Sequence, residues 1–154
     1  MSKSILIASD HAGFALKDKL KPFLKKNSLK VVDLGTGSSE RCDYPAYAAV
    51  LARKIARKSC GRGILICKSG IGNSIVANRF PGVRAALCHN VRAARLSRQH
   101  NDSNVLVLGS AFVNAKTARR ILGVWLNTSF LGGRHKRRLR QITEIERDVR
   151  RWKL

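Results

Sequence analysis

Cys67 is the residue around which reactive side chains gather. It closes the apolar run Gly63-Ile64-Leu65-Ile66 and is followed by Lys68-Ser69-Gly70-Ile71-Gly72-Asn73-Ser74. Such a run reads as a buried strand of a parallel sheet, with the thiol at its carboxyl end. Gly70 and Gly72 permit a sharp turn that presents backbone N–H groups inward. Asn73 or Ser74 is placed to cap the helix that Ile75, Val76 and Ala77 suggest. Ligands of open α/β sheets bind at the carboxyl ends of strands, and helix N-termini attract anions. A thiol there would face an anion-cradling loop. An inert buried cysteine in an ordinary strand–turn–helix fits this stretch equally well.

Four more polar clusters fall at element ends. They are Asp10-His11 after the first apolar run, Asp43-Tyr44 in a loop, His100-Asn101 after a helix, and Gly132-Gly133-Arg134-His135 before the last helix. Each alone has a plain explanation: Asp10 as a helix cap, the histidines as satisfied polar residues, Arg134 and Arg138 as part of a solvated basic face. Their shared position at element ends is what suggests a site.

The elements that must position them alternate. Strands are expected at Ser4 to Ala8, Leu29 to Leu34, Gly63 to Cys67, Val83 to Cys88 and Val105 to Leu108. Between them, Leu16, Leu20, Phe23 and Leu24 recur at helical spacing, with Pro22 placed to kink that helix or shift its start. Further helices are expected at Ala46 to Lys58, Val91 to Gln99 and Ala115 to Leu126. A last helix, about 137–151, carries Leu139, Ile142, Ile145, Val149 and Trp152 on one stripe, which suits either its own domain or a partner subunit. The loop Gly35 to Pro45 is long for such a connection, and long loops in compact domains are often functional. Strands alternating with helices over short links imply one α/β domain, residues 1–154: a five-stranded parallel sheet, doubly wound, in a Rossmann-like three-layer sandwich.

Composition narrows the setting. The 154 residues suffice for a real core, and 44% are hydrophobic. No apolar run is long enough to span a membrane, and none at the start reads as a signal peptide. The four cysteines, Cys42, Cys60, Cys67 and Cys88, form no Cys-x-x-Cys pair, so neither a zinc site nor a disulfide framework is expected, and a reducing cytoplasm is the expected location. Lys and Arg number 31 against 9 Asp and Glu, a net charge of +22. That surface attracts polyanions, and nonspecific nucleic-acid binding is one expectation. An aromatic content of 6% leaves few stacking platforms for single strands.

Taken in order, Ser9-Asp10-His11-Ala12-Gly13-Phe14, Gly35-Thr36, Asp43-Tyr44-Pro45, Gly63 to Cys67 with Ser69-Gly70-Ile71-Gly72, Arg98 to Asp102 and Gly132 to His135 resemble the type B ribose-5-phosphate isomerase family, which includes the galactose-6-phosphate isomerase subunits. The resemblance covers nearly the whole chain. It implies interconversion of ribose 5-phosphate and ribulose 5-phosphate through an enediolate, with no cofactor and no metal. Cys67 would be the base, as a thiolate whose pKa Lys68 and the loop amides lower. Some members use a glutamate at the place of Ser74, which this chain lacks. The N–H groups from Ser69 through Gly70, Ile71 and Gly72 to Asn73 would hold the oxyanion, with the Ser69 hydroxyl assisting.

By the same resemblance His100 would open the sugar ring, Asp10, Tyr44 and Asn101 would line the sugar, and His11, Arg134 and Arg138 would grip the phosphate. The site would lie between subunits of a homodimer or a dimer of dimers. Two departures bear on the substrate. Ala111 stands where many members carry a phosphate-binding arginine, and Lys68 stands where glycine is usual. They leave open an isomerase of a six-carbon sugar phosphate, and the charge leaves open a nucleic-acid-binding protein on the same scaffold.

Overall fold

A computed structural model describes residues 4–152. Its five strands, β1 (Ser4–Ser9), β2 (Lys30–Asp33), β3 (Gly63–Cys67), β4 (Ala85–Leu87) and β5 (Val105–Gly109), are all parallel and ordered β2-β1-β3-β5-β4. Alternate residues of the central strands feed two separate cores, as the two-residue strand period requires. Ile5, Ile7, Ile64, Ile66, Leu106 and Leu108 face the helices α1 (Phe14–Lys26), α4 (Val91–Asn101) and α5 (Ala115–Asn127). Leu6, Ala8, Leu65, Val105 and Val107 face α2 (Tyr44–Ala56) and α3 (Ile71–Ala77). The expected three-layer sandwich is therefore present. The helix spacing in α1 follows from Leu16, Leu20 and Leu24, all buried against β1 and β3.

Several local expectations are corrected. The helix after Cys67 starts at Ile71, and its N-cap is Gly70, whose φ of 81° is left-handed, in place of Asn73 or Ser74. A residue with Cβ is strained there, and Gly70 is also packed against Leu87 and the Gly109 backbone. Of the two effects expected of Pro22, a shifted start is not seen: the proline sits inside α1, which begins at Phe14. β4 is shorter than expected, because Val83 and Arg84 lie in the turn leading into it. The last helix, α6 (Arg134–Arg151), begins three residues before the expected 137, and its apolar stripe does not enter the core. Ile142, Ile145, Val149 and Trp152 are exposed, and His135 is the buried residue of this helix. With Leu139, three of these line an open groove of about 590 Å³ against the segment that leads into β4.

Strand order creates a crevice. β1 pairs with β2 on one side and β3 on the other, so the chain leaves β1 and β3 in different directions and opens a gap at their carboxyl ends. The β1–α1 turn closes on β3 there. Asp10 N donates to Ile66 O at 3.3 Å, and Gly13 N donates to Asp10 Oδ1 at 3.0 Å. A Cβ on Gly13 would overlap Ile66 O. Gly13→Ala is accordingly expected to destabilise the fold by about 1–3 kcal/mol, read as a lower denaturant midpoint at unchanged slope.

Candidate active site

Ten of the fourteen expected site residues converge on that crevice. Cys67 ends β3 and is buried, at 4% exposure. Gly70 N donates to its Sγ at 3.1 Å, and the amides of Asn73 and Ser69 also act on the sulfur. Burial pushes the thiol above its ordinary value of 9.0, the carboxylate of Asp10 adds to the rise, and the three amides pull against it. The balance is upward, contrary to the expected depression. The amides lower the pKa as expected, but desolvation of a thiolate outweighs them. Lys68 is exposed to water and does not figure among the groups that move the thiol.

The amide fan is thus aimed mostly at sulfur. Ile71 N donates to Ser69 Oγ at 3.2 Å. Of the loop amides expected to meet an oxyanion, Gly72 N, in the first turn of α3, has no assigned partner among the described residues. Tyr44 opens α2, and its ring lies against Gly72, where a Cβ would come within 2.6 Å of its hydroxyl. Asn73 is buried, with Oδ1 lacking a partner among the described residues, as does Ser9 Oγ. His11 is fixed by the long loop: its Nδ1 lies 3.0 Å from Cys42 O and 3.2 Å from Cys42 N. No motif pointed to that loop contact, since it joins residues 31 apart through backbone atoms.

The loops after β3 and β5 are tied together beyond the strands. Ser110 N donates to Cys67 O and Ala111 N donates to Lys68 O, each at 2.9 Å. Lys68 and Ala111, the two positions that the resemblance marked as departures, are therefore hydrogen-bonded neighbours.

The other four expected residues, His100, Asn101, Arg134 and Arg138, lie elsewhere in the same chain. Helix α4 starts beside the carboxyl end of β4 and returns to the amino end of β5. His100 and Asn101, at its last turn, are thus at the opposite end of the sheet from Cys67, on the order of 15 Å along a five-residue strand. The α5–α6 linker joins them: Leu131 N donates to Gln99 O at 3.1 Å, and His135 stacks on His100 with ring centroids 4.2 Å apart and planes 7° from parallel. Burial, then the neighbouring His100, Arg134 and Arg138, push the His135 pKa down. Arg134 and Arg138 are exposed one helical turn apart, as a two-pronged grip on an anion would require. His135 had no role assigned from sequence, because stacking across a linker leaves no trace in spacing.

Among the described residues no cluster of His, Cys, Asp or Glu is arranged to hold a metal ion, all four cysteines are free, and no helix is long and apolar enough to cross a membrane.

Comparison with known proteins places this geometry. Residues 5–142 match the family model described as Ribose/Galactose Isomerase. The chain is 46% identical over 144 residues to ribose-5-phosphate isomerase B of Escherichia coli (strain K12), covering 94% of this chain and 97% of that protein. The solved ribose-5-phosphate isomerase B of Clostridium thermocellum superposes with a TM-score of 0.93 at 45% identity, covering 95% of this chain and 99% of that one. That of Mycoplasma genitalium, solved with bound ribulose-5-phosphate, superposes with a TM-score of 0.92 at 41% identity, covering 96% and 99%.

The raised thiol pKa has a direct consequence. Alkylation of Cys67 by iodoacetamide, followed residue by residue by mass spectrometry, is expected to stay slow through neutral pH and to rise only above pH 9, after the less buried Cys42 and Cys60 have reacted.

Proposed function

The chain belongs to the ribose/galactose isomerase family, and on that premise we propose that it interconverts ribose 5-phosphate and ribulose 5-phosphate through an enediolate. The observation that carries this reading is the sulfur at the β1–β3 crevice, met by three backbone amides and faced by Asp10. The relative that holds ribulose-5-phosphate shares the fold over nearly the full length of both chains.

In the proposed reaction the Cys67 thiolate removes the proton from C2 of the open aldose. The electron pair forms the C1–C2 double bond, and the carbonyl oxygen at C1 becomes the negative end of an enediolate. The amide of Gly72 and the Ser69 hydroxyl are placed to donate to that oxygen. The thiol returns its proton to C1 while the hydrogen on the C2 oxygen transfers to the C1 oxygen, leaving a ketone at C2. A thiol of raised pKa is scarcer as thiolate and stronger as a base, and the two effects oppose each other in the rate. Asp10 and Tyr44 line the sugar, and His11 meets the phosphate.

Ring opening by His100, and phosphate binding by Arg134 and Arg138, require these residues to approach Cys67. Within one chain the sheet separates them, so the reading includes a second copy that brings its own His100 end to this crevice. A homodimer with two such composite sites is the smallest assembly that completes them. Lys68 is assigned to the substrate phosphate: it is exposed, it has no ion-pair partner among the described residues, and it sits one backbone hydrogen bond from Ala111.

Three measurements test this. Cys67→Ala is expected to abolish conversion of ribose 5-phosphate while leaving the circular dichroism and thermal midpoint near those of the parent; retained turnover would remove the thiol from the mechanism. Inactive Cys67→Ala and His100→Ala proteins, mixed under dissociating conditions and re-associated, are expected to recover activity, with about one site in four intact after random pairing; no recovery would place both residues in one chain's site. Lys68→Gly is expected to raise KM for ribose 5-phosphate at least about tenfold, with kcat changed far less, as loss of one charged hydrogen bond to phosphate implies; an unchanged KM would release Lys68 from that role.

A further inference from the structure

A second cluster of cations lies at the other end of the sheet from Cys67, beside the last turn of α4 that also carries His100 and Asn101. Arg62 stands just before β3, Arg84 just before β4, and Arg98 in the last turn of α4. One carboxylate serves this corner. Asp102 takes Arg98 Nη1 at 2.7 Å on Oδ1 and Arg84 Nη2 at 3.0 Å on Oδ2. Arg98 also donates to Ser103 O from Nη1 and to Thr128 O from Nε, which leaves only its Nη2 without a partner among the described residues. Arg62 has no ion-pair partner among the described residues. It makes one hydrogen bond, from Nη1 to Leu126 O at 2.8 Å, which leaves Nε and Nη2 unassigned.

Arg62 and Arg98 both hold their guanidinium carbons close to the Trp125 ring centroid, at 5.4 and 5.8 Å. Trp125 is fully buried, so one side of each guanidinium is desolvated. Partial burial and then repulsion from Arg98 act together against the charge on Arg62. Three guanidiniums against one carboxylate leave two positive charges. The C-terminus of α5, which includes Leu126, returns roughly half a negative charge. The Trp125 ring supports the guanidinium but supplies no counter-charge. Half-buried charge of this kind is ordinarily paired.

Arg62 lines a concavity of about 540 Å³ together with Arg98, Asn27, Asn127, Ser129 and Phe130. We propose that this concavity is an anion site, distinct from the Cys67 crevice, in which the free fork of Arg62 takes the oxygens of a small phosphate or carboxylate ligand. A planar fork with two adjacent donors suits two oxygens of one anion, and hydroxyl and amide side chains on the rim suit the remainder. The proposal does not depend on the isomerase reading, because its test measures binding alone.

Trp125 and Trp152 are the two tryptophans of the chain. In a Trp152→Phe background the buried Trp125 reports on the site by its own fluorescence. Inorganic phosphate, titrated at ionic strength held constant with chloride, is expected to give a saturable change in that emission and a rise in thermal midpoint. Arg62→Gln should weaken the apparent affinity at least about tenfold. Arg62→Lys, which keeps the charge without the fork, should weaken it less and guards against a folding artefact. Arg134→Gln should leave the response in place, which separates this site from the proposed substrate-phosphate site. The idea is overturned if the response and the thermal shift are both absent, or if both persist unaltered in Arg62→Gln.

Discussion

The functional end of this protein depends on how closely the β1–α1 turn can approach β3. Two strands that part company at their carboxyl ends would ordinarily leave a wide, wet cleft. Here Gly13 lets the turn close until its backbone touches Ile66 O, and the Asp10 amide continues the sheet ladder one residue past the strands. The same device recurs on the far side of β3, where Ser110 and Ala111 donate to Cys67 and Lys68. Cys67 is thus clamped between two loops by backbone hydrogen bonds that no side-chain substitution removes. A thiol held this way has little freedom to move, which is the condition that the acid–base role proposed for it demands.

That rigidity sets the electrostatic problem the site must solve. Enclosure removes water from the sulfur and raises its pKa. The fan of amides from Ser69, Gly70 and Asn73 then restores part of the lost solvation with dipoles that do not need to reorient. Asp10 works against the amides, because a second negative charge beside a thiolate is unfavourable. A carboxylate in that position has to be explained by something other than activation of the thiol. Contact with sugar hydroxyls, which accept and donate hydrogen bonds without carrying charge, fits the proposed function.

Much of the architecture was legible because each burial pattern has one period. The central apolar runs could only be strands buried on both faces, and Leu16, Leu20 and Leu24 could only be one face of a helix. The errors fell where two local rules compete. Asn73 and Ser74 are good cap residues by type, but the left-handed turn at Gly70 starts the helix three residues earlier and turns Asn73 inward. Leu139, Ile142, Ile145 and Val149 have the spacing of a core stripe, but spacing says nothing about which surface the stripe meets, and here it meets an open groove. The candidate site could be read as a set of residues and not as a place. Asp10, Cys67 and Tyr44 were recognisable by type and order, whereas the distance from Cys67 to His100 depends on helix direction, which only the topology fixes.

The net charge, which composition left unexplained, acquires a direction in the fold. Each of α1 to α5 comes after a strand and therefore points its N-terminus toward the Cys67 end. None of the six helices carries an acidic side chain in its first turn, although carboxylates are favoured there by the helix dipole. Cations instead occupy the last turns of α1, α2, α4 and α6. The ion pairs among the described residues use four cations, Lys17, Lys21, Arg84 and Arg98, out of 31 in the chain. Scarcity of acid, as much as abundance of base, makes the charge. Asp10 accepts from the Gly13 amide at the start of α1 and Asp43 precedes α2, but α3, α4 and α5 begin at the same end of the sheet on Gly70, Asn90 and Asn114, which carry no charge. An anionic substrate arriving there meets aligned partial charges of α3, α4 and α5 that carry no acidic cap, and in the proposed reaction the enediolate would form in the same field.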